Sequence, residues 1–185
     1  RTGKRSLSLL EVAAGSGYVP ERTRARLRRR AIELSPTLLD RSLAHLNSSG
    51  PAVVGDARTL PFRDASFDLV SCTLFAHHLE PDELLSFVRE GLRVCRLAVL
   101  INDLIRHPLH LWLVYAGFPL YRSRLTRHDA PASVRRAYTV EEMQHMLERA
   151  GAAHLEFSCH YLFRMGVIAW KYAPGAEGRR PQAEE

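Results

Sequence analysis

Acidic residues recur beside short apolar runs in this chain. Glu11 follows Leu9-Leu10, Glu33 follows Ala31-Ile32, Asp56 follows Val53-Val54-Gly55, and Asp103 follows Ile101-Asn102. Apolar runs of this length, bounded by turn residues, read as buried parallel strands. An acid at the carboxyl end of such a strand faces the crevice where open α/β sheets bind ligands. Behind Glu11, small residues stand at every second position: Ala13, Gly15 and Gly17. A loop of this kind turns sharply and lets the backbone approach a ligand closely. A dinucleotide fingerprint would carry a third glycine where this chain has Pro20. The loop therefore suits an adenosine ligand without a pyrophosphate better than it suits NAD. Glu33 follows the last loop glycine by 16 residues, close to the offset of an acid that accepts from two vicinal ribose hydroxyls. Asp56 is placed to accept from an adenine amino group. Taken singly, each acid could equally be a helix cap or a solvated loop residue; three in register after one glycine loop weigh against that reading.

Histidines supply candidate bases, because imidazole exchanges protons near neutral pH. His77 and His78 follow the apolar run 67–73, at the expected mouth of the crevice. One of them packs and the other faces the site in this reading, with two core histidines as the competing one. Asp103 with His107 forms a second candidate pair, and His128 with Asp129 a third, unless that third pair is only a turn. Trp112, Tyr115, Phe118 and Tyr121 recur every three residues. On a helix they form an apolar stripe, suited to core packing or a lid, and otherwise to the wall of an acceptor pocket.

The elements that must position these residues alternate. Strands are expected over 6–12, 31–34, 52–54, 67–73 and 97–101, with helices over 19–30 and 82–93. Ser35-Pro36 predicts another helix start, by a cap and a first-turn proline, running to about Leu46. The second strand is then very short and follows its helix almost without a loop. Residues 104–138 break the alternation and read as a helical insertion. Thr139-Val140-Glu141-Glu142 is a capping box for a helix to Ala150. Two more strands, about 154–159 and 164–172, close the sheet. The expected fold is a doubly wound, mostly parallel seven-stranded α/β sheet with an insertion after the fifth strand, in one domain over 1–173. A polar tail, 174–185, is expected to be disordered. The chain opens almost directly on its first strand, which suggests that a preceding segment lies outside this sequence.

Three blocks, E-V-A-A-G-S-G, I-E-L-S-P-T-L-L and G-D-A-R-T-L-P-F-R-D-A-S-F-D-L-V, together resemble the ordered motifs of class I S-adenosylmethionine-dependent methyltransferases. The likeness is to the small-molecule group related to ubiquinone and menaquinone biosynthesis enzymes. It implies a Rossmann-like fold and S-adenosylmethionine as cofactor. It implies that Glu11, Gly15 and Gly17 border the methionine part, that Glu33 holds the ribose, and that Leu34 packs on the adenine. Asp56 would meet the adenine amino group beside Ala57, and Thr73 and Leu74 would complete the pocket floor. Ala13 stands where the motif has its first glycine, adding a methyl where backbone meets cofactor. The glycine pair usual before the fifth strand is replaced by Arg93-Val94-Cys95-Arg96.

Bulk properties narrow the field. A length of 185 residues with 46% apolar and 25% charged residues is ordinary for a globular domain. Much of the net charge of +6 lies in Arg22, Arg24, Arg26, Arg28, Arg29 and Arg30. No aromatic residue interleaves with them, so the run reads as a solvated helix face before a nucleic-acid patch. Three dispersed cysteines without ligand spacing predict neither a disulfide framework nor a metal site. They fit a reducing, cytoplasmic setting. The apolar stretch 108–121 is too short to cross a bilayer. Methyl transfer to a small acceptor is the resulting expectation, with the oxygen of a phenol or similar hydroxyl as the expected acceptor atom and His77, His78, Asp103 or His128 serving the proton. The acceptor would be aromatic or lipid-like, and a homodimer is possible. Two alternatives remain: a nucleic-acid methyltransferase, against which S-C-T-L-F-A after the fourth strand counts, and a cofactor-binding protein without turnover.

Overall fold

Every second residue of β1 (Ser6–Val12) and β2 (Glu33–Asp40) turns to the opposite face, and these strands seed one sheet. The structure is a computed structural model describing residues 5–46, 50–121, 123–160 and 162–173; the tail at 174–185 lies outside them. The remaining strands are β3 (Ala52–Val54), β4 (Phe67–Thr73), β5 (Cys95–Leu104), β6 (His154–His160) and β7 (Arg164–Trp170). Their order is β3-β2-β1-β4-β5-β7-β6. The first five run parallel, whereas β7 is antiparallel to both neighbours. From β1 the chain moves outward one way to β2 and β3, then returns to place β4 on the other side. The gap above β1 and β4 is therefore a topological switch point, where sheets of this kind take ligands.

Helix α1 (Tyr18–Arg28) follows β1, and α2 (Pro81–Val94) follows β4. In α2, Leu84, Leu85, Phe87, Val88, Leu92 and Val94 are buried, the apolar stripe that docks a helix on a sheet. Gly91 brings α2 very near β5, since a Cβ there would lie 2.9 Å from a Val99 methyl. Helix α5 (Val140–Arg149) opens with the expected capping box and buries Met143, Met146 and Leu147. Between β5 and α5 lies the insertion: α3 (Pro108–Ala116), a 3-10 turn at Phe118–Leu120, and α4 (Arg124–Arg136). No helix among the described residues is long and apolar enough to cross a membrane. Cys72 and Cys95 are buried free thiols, and Cys159 is an exposed one.

Sequence reasoning misplaces the segment 31–46. Residues 35–40 are not the start of a helix; they extend β2 to Asp40, and only a 3-10 turn at Leu43–His45 follows. Pairing explains this. β2 matches β1 residue for residue, from Ser6 opposite Glu33 to Val12 opposite Leu39, whereas a strand ending at Leu34 would leave most of that side of β1 unpaired. Pro36 is tolerated because β3 pairs only with Leu38–Asp40; at Pro36 the strand is an edge, where a missing N–H costs little. The Ser-Pro signal is local, and the ladder outweighs it.

Candidate functional site

The glycine loop leaves β1 in an unusual conformation. Ala13, Gly15 and Gly17 all adopt left-handed φ, at 53°, 53° and 71°. The Ala14 N–H donates to the Leu39 carbonyl at 3.1 Å, tying the loop to the end of β2. Left-handed φ costs an L-residue about 1–2 kcal/mol, part of which a glycine returns through its freer unfolded chain. Ala13→Gly is accordingly expected to raise the melting temperature by about 1–4 °C. A fall on thermal melting would contradict the strain.

Above the switch point, Val12, Ala13, Leu39, Asp40, Arg41, Gly55, Ala57 and Phe75 line a cavity of about 100 Å³. Asp40 is its carboxylate. It accepts from the Gly15 N–H at 3.0 Å and the Ser42 N–H at 3.0 Å, and its other contact is His45 Nδ1 at 3.1 Å. Burial opposes its ionisation, but these hydrogen bonds outweigh burial and hold its pKa below the usual value. Glu11 is buried beside the loop and accepts from the hydroxyls of Ser71 and Thr73. Burial raises its pKa against those bonds. Leu74, following Thr73, takes left-handed φ of 54° and is partly exposed.

Glu33 is not at this end of the sheet. It begins β2 opposite Ser6, roughly 23 Å along the strand from Asp40 at the usual rise. There Glu33 and Leu34 border a different groove, of about 880 Å³, with Arg5, Arg24 and Arg28 of the arginine-rich surface. Leu39 and Asp40 occupy the cavity positions that sequence reasoning gave to Leu34 and Glu33. Asp56 differs in another way. Its carboxylate accepts from Arg58 Nε at 3.0 Å, Nη2 at 2.7 Å and the backbone N–H at 2.9 Å. Those bonds from Arg58 bring its pKa down to about 2. Gly55 and Ala57 line the cavity, whereas the Asp56 carboxylate is committed to Arg58.

A second constellation assembles next door. His77 and His78 lie in a 3-10 turn, Ala76–His78, directly after β4. The His77 ring meets Asp103 through Nδ1 at 2.6 Å, and the His77 backbone N–H donates to the same carboxylate at 3.1 Å. Both side chains are almost fully buried, at 4% and 2% exposure. With Nδ1–H donated to a carboxylate, Nε2 is the basic atom. The pairing joins residues from two different sequence candidates: Asp103 pairs with His77 and not with His107. His107 instead caps α3, accepting from the Leu109 N–H at 3.1 Å, and stacks on Phe163 with ring centroids 5.0 Å apart.

His77 and His78 border a cavity of about 650 Å³, with Arg106, Arg136, Tyr138 and His145 among its walls. That volume is in the range of small-molecule sites. Phe75 lines the smaller cavity and His77 the larger, so this turn is the partition between them. Tyr138 fixes the turn's exit by donating to the Leu79 carbonyl at 2.7 Å. His128 is on α4, not in a loop, and its side chain is 85% exposed, 3.2 Å from Asp129. The aromatic stripe also divides. Trp112 and Tyr115 are exposed on α3, while Phe118 sits 5.1 Å from Tyr115 and 5.9 Å from Tyr121 across the helix end. Sequence reasoning missed Asp40, Tyr138 and Arg136; the run Leu38-Leu39-Asp40, an acid after apolar residues, was the available signal for the first.

The sheet order and a carboxylate-flanked glycine loop at its switch point define a Rossmann-like architecture, of the kind that takes nucleotides at that point. Residues 10–98 match the family described as a methyltransferase domain. No curated protein matches the sequence. Among solved structures, the chain is similar to the CMeT domain of the citrinin polyketide synthase, with a TM-score of 0.68 at 16% identity. That match covers 94% of this chain and 48% of the domain, so the chain spans about half its length. It is also similar to a putative methyltransferase from Bacillus halodurans (TM-score 0.59, 20% identity, 92% of this chain and 94% of that one). A plantazolicin methyltransferase solved with SAH gives a TM-score of 0.66 at 13% identity, covering 89% and 77%. Residues 10–98 thus carry a methyltransferase domain, which implies S-adenosylmethionine as the cofactor, on a fold shared with class I S-adenosylmethionine-dependent methyltransferases. The lining of the smaller cavity suits the adenosine part of that molecule chemically. Asp40 offers carboxylate oxygens to ribose hydroxyls, and Leu39, Ala57 and Phe75 offer apolar walls to a purine.

Proposed function

We propose that this methyltransferase methylates the oxygen of a small-molecule hydroxyl, of the phenol class, with His77 as general base. The observation that carries the reading is the buried His77–Asp103 pair on the wall of the 650 Å³ cavity. The cofactor supplies an electrophilic methyl group on a sulfonium. Asp40 holds the ribose, and Leu39, Ala57 and Phe75 enclose the base. Glu11, Gly15, Gly17, Thr73 and Leu74 border the amino-acid end. A phenol enters on the far side of the turn. His77 Nε2 takes its proton as the oxygen–methyl bond forms and the methyl–sulfur bond breaks. Asp103 fixes the ring and stabilises the imidazolium through Nδ1–H, a role worth having only where water is scarce. Alignment of acceptor and donor provides the larger share, roughly 7–11 kcal/mol in well-oriented cases.

The test incubates the protein with methyl-labelled S-adenosylmethionine and a panel of phenols, aliphatic alcohols and amines, with products identified by mass. Label on phenolic oxygen supports the reading. Transfer to amines only, or saturable cofactor binding with no transfer to any acceptor, overturns it.

A further inference from the structure

The 650 Å³ cavity carries more charge than a neutral phenol needs, and its pairing is uneven. Arg106, Arg135 and Arg136 line it together with Glu80, Glu83 and Glu142. Each carboxylate has an obligation. Glu142 pairs with Arg106, and Glu83 meets Arg58 at 2.6 Å. Glu80 is the N-cap of α2, where the helix terminus offsets its charge. Arg135 donates to the Tyr115 hydroxyl at 2.5 Å. Arg136 has no carboxylate partner among the described residues. Its guanidinium is close enough to His78 to help lower that histidine's pKa, behind burial and the adjacent His77 ring. A cation without an ion-pair partner among the described residues thus stands beside the histidine turn, on the wall that His77 shares, with the Asp103 and Asp129 carboxylates also acting on His78. Nothing in the transfer of a methyl to oxygen uses it.

We infer that Arg136 is a specificity residue, and that the acceptor is an aromatic hydroxyl compound carrying a carboxylate, which Arg136 grips while the hydroxyl faces His77. This rests on the reading of the cavity as the acceptor site. A guanidinium fork matches a carboxylate through two parallel hydrogen bonds. Arg106 is paired with Glu142 and Arg135 is held on the Tyr115 hydroxyl, which leaves the Arg136 fork for the carboxylate.

The experiment titrates the full chain, saturated with S-adenosylhomocysteine, with 4-hydroxybenzoate, benzoate and phenol, and reads dissociation constants by calorimetry. Both carboxylates are expected to bind at least about tenfold more tightly than phenol. Arg136→Gln is expected to remove that advantage while leaving S-adenosylhomocysteine affinity unchanged. Because Arg136 is exposed, the variant is expected to melt like wild type. His77→Gln should keep the carboxylate preference, since His77 moves a proton and does not hold the anion. Equal binding of phenol and 4-hydroxybenzoate, or a preference that survives Arg136→Gln, overturns the inference. The two proposals fail separately. Arg136-dependent benzoate binding without methylation of hydroxybenzoates would keep the anion site and sink the transfer reading. Methylation of phenols with no carboxylate preference would do the reverse.

Discussion

Asp40→Ala should weaken S-adenosylhomocysteine binding by at least about 100-fold, while Glu33→Ala should change it by less than about twofold. A carboxylate that accepts from both ribose hydroxyls makes two charge-assisted hydrogen bonds, each worth about 1.5–3 kcal/mol. Asp40 is the acid positioned to do so, at the carboxyl end of β2 and in the cavity wall. Glu33 lies at the other end of the same strand. Asp40 also holds the Gly15 and Ser42 N–H groups, so its loss could loosen the glycine loop. Asp40→Asn separates the two effects. It keeps one acceptor oxygen, enough for the Gly15 or the Ser42 N–H but not both, and an intermediate affinity is expected with a melting temperature between those of wild type and Asp40→Ala. If Glu33→Ala abolished binding and Asp40→Ala did not, the assignment would pass back to Glu33 and the register of β2 with β1 would be wrong.

The second large effect concerns the buried pair. His77→Gln should lower turnover of a phenol about 10²- to 10⁴-fold, the usual worth of a positioned base, with cofactor affinity unchanged. Asp103→Asn should lower it less, because the ring keeps its place but its cation loses a counter-charge. Since Asp103 also accepts from the His77 and Leu104 backbone N–H groups, a structural defect could imitate a chemical one. Acceptor acidity distinguishes them. A phenol already ionised at the assay pH brings no proton to remove, so the deficit of His77→Gln should shrink towards nothing on such an acceptor. A deficit of the same size for acidic and ordinary phenols would show that His77 only packs.

Sequence and structure agree where the signal is periodic or carried by several residues in a row. The strand 67–73, the helix expected over 82–93 and the capping box at Thr139 were legible because local pattern and tertiary role coincide. The left-handed loop at Ala13–Gly17 was legible for a similar reason, since small residues mark backbone conformations that larger ones resist. At Ser35-Pro36 the local signal pointed elsewhere. A cap followed by proline is a good helix start, and nothing within a few residues reveals that β1 offers a full-length ladder there.

What the sequence by itself determined is the class of sheet, the glycine loop with Glu11 behind it, and the presence of histidines after β4 and an acid near the end of β5. Only the tertiary structure decided which of these meet. His77 and Asp103 are 26 residues apart, and parallel pairing of β4 with β5 brings them to the same edge of the sheet. Asp40 replaces Glu33, and Asp56 turns to Arg58, because strand register and nearby charge choose among several plausible carboxylates. Spacing along a chain describes neighbours within an element, whereas a site is made between elements, where hydrogen-bond ladders and burial set the distances.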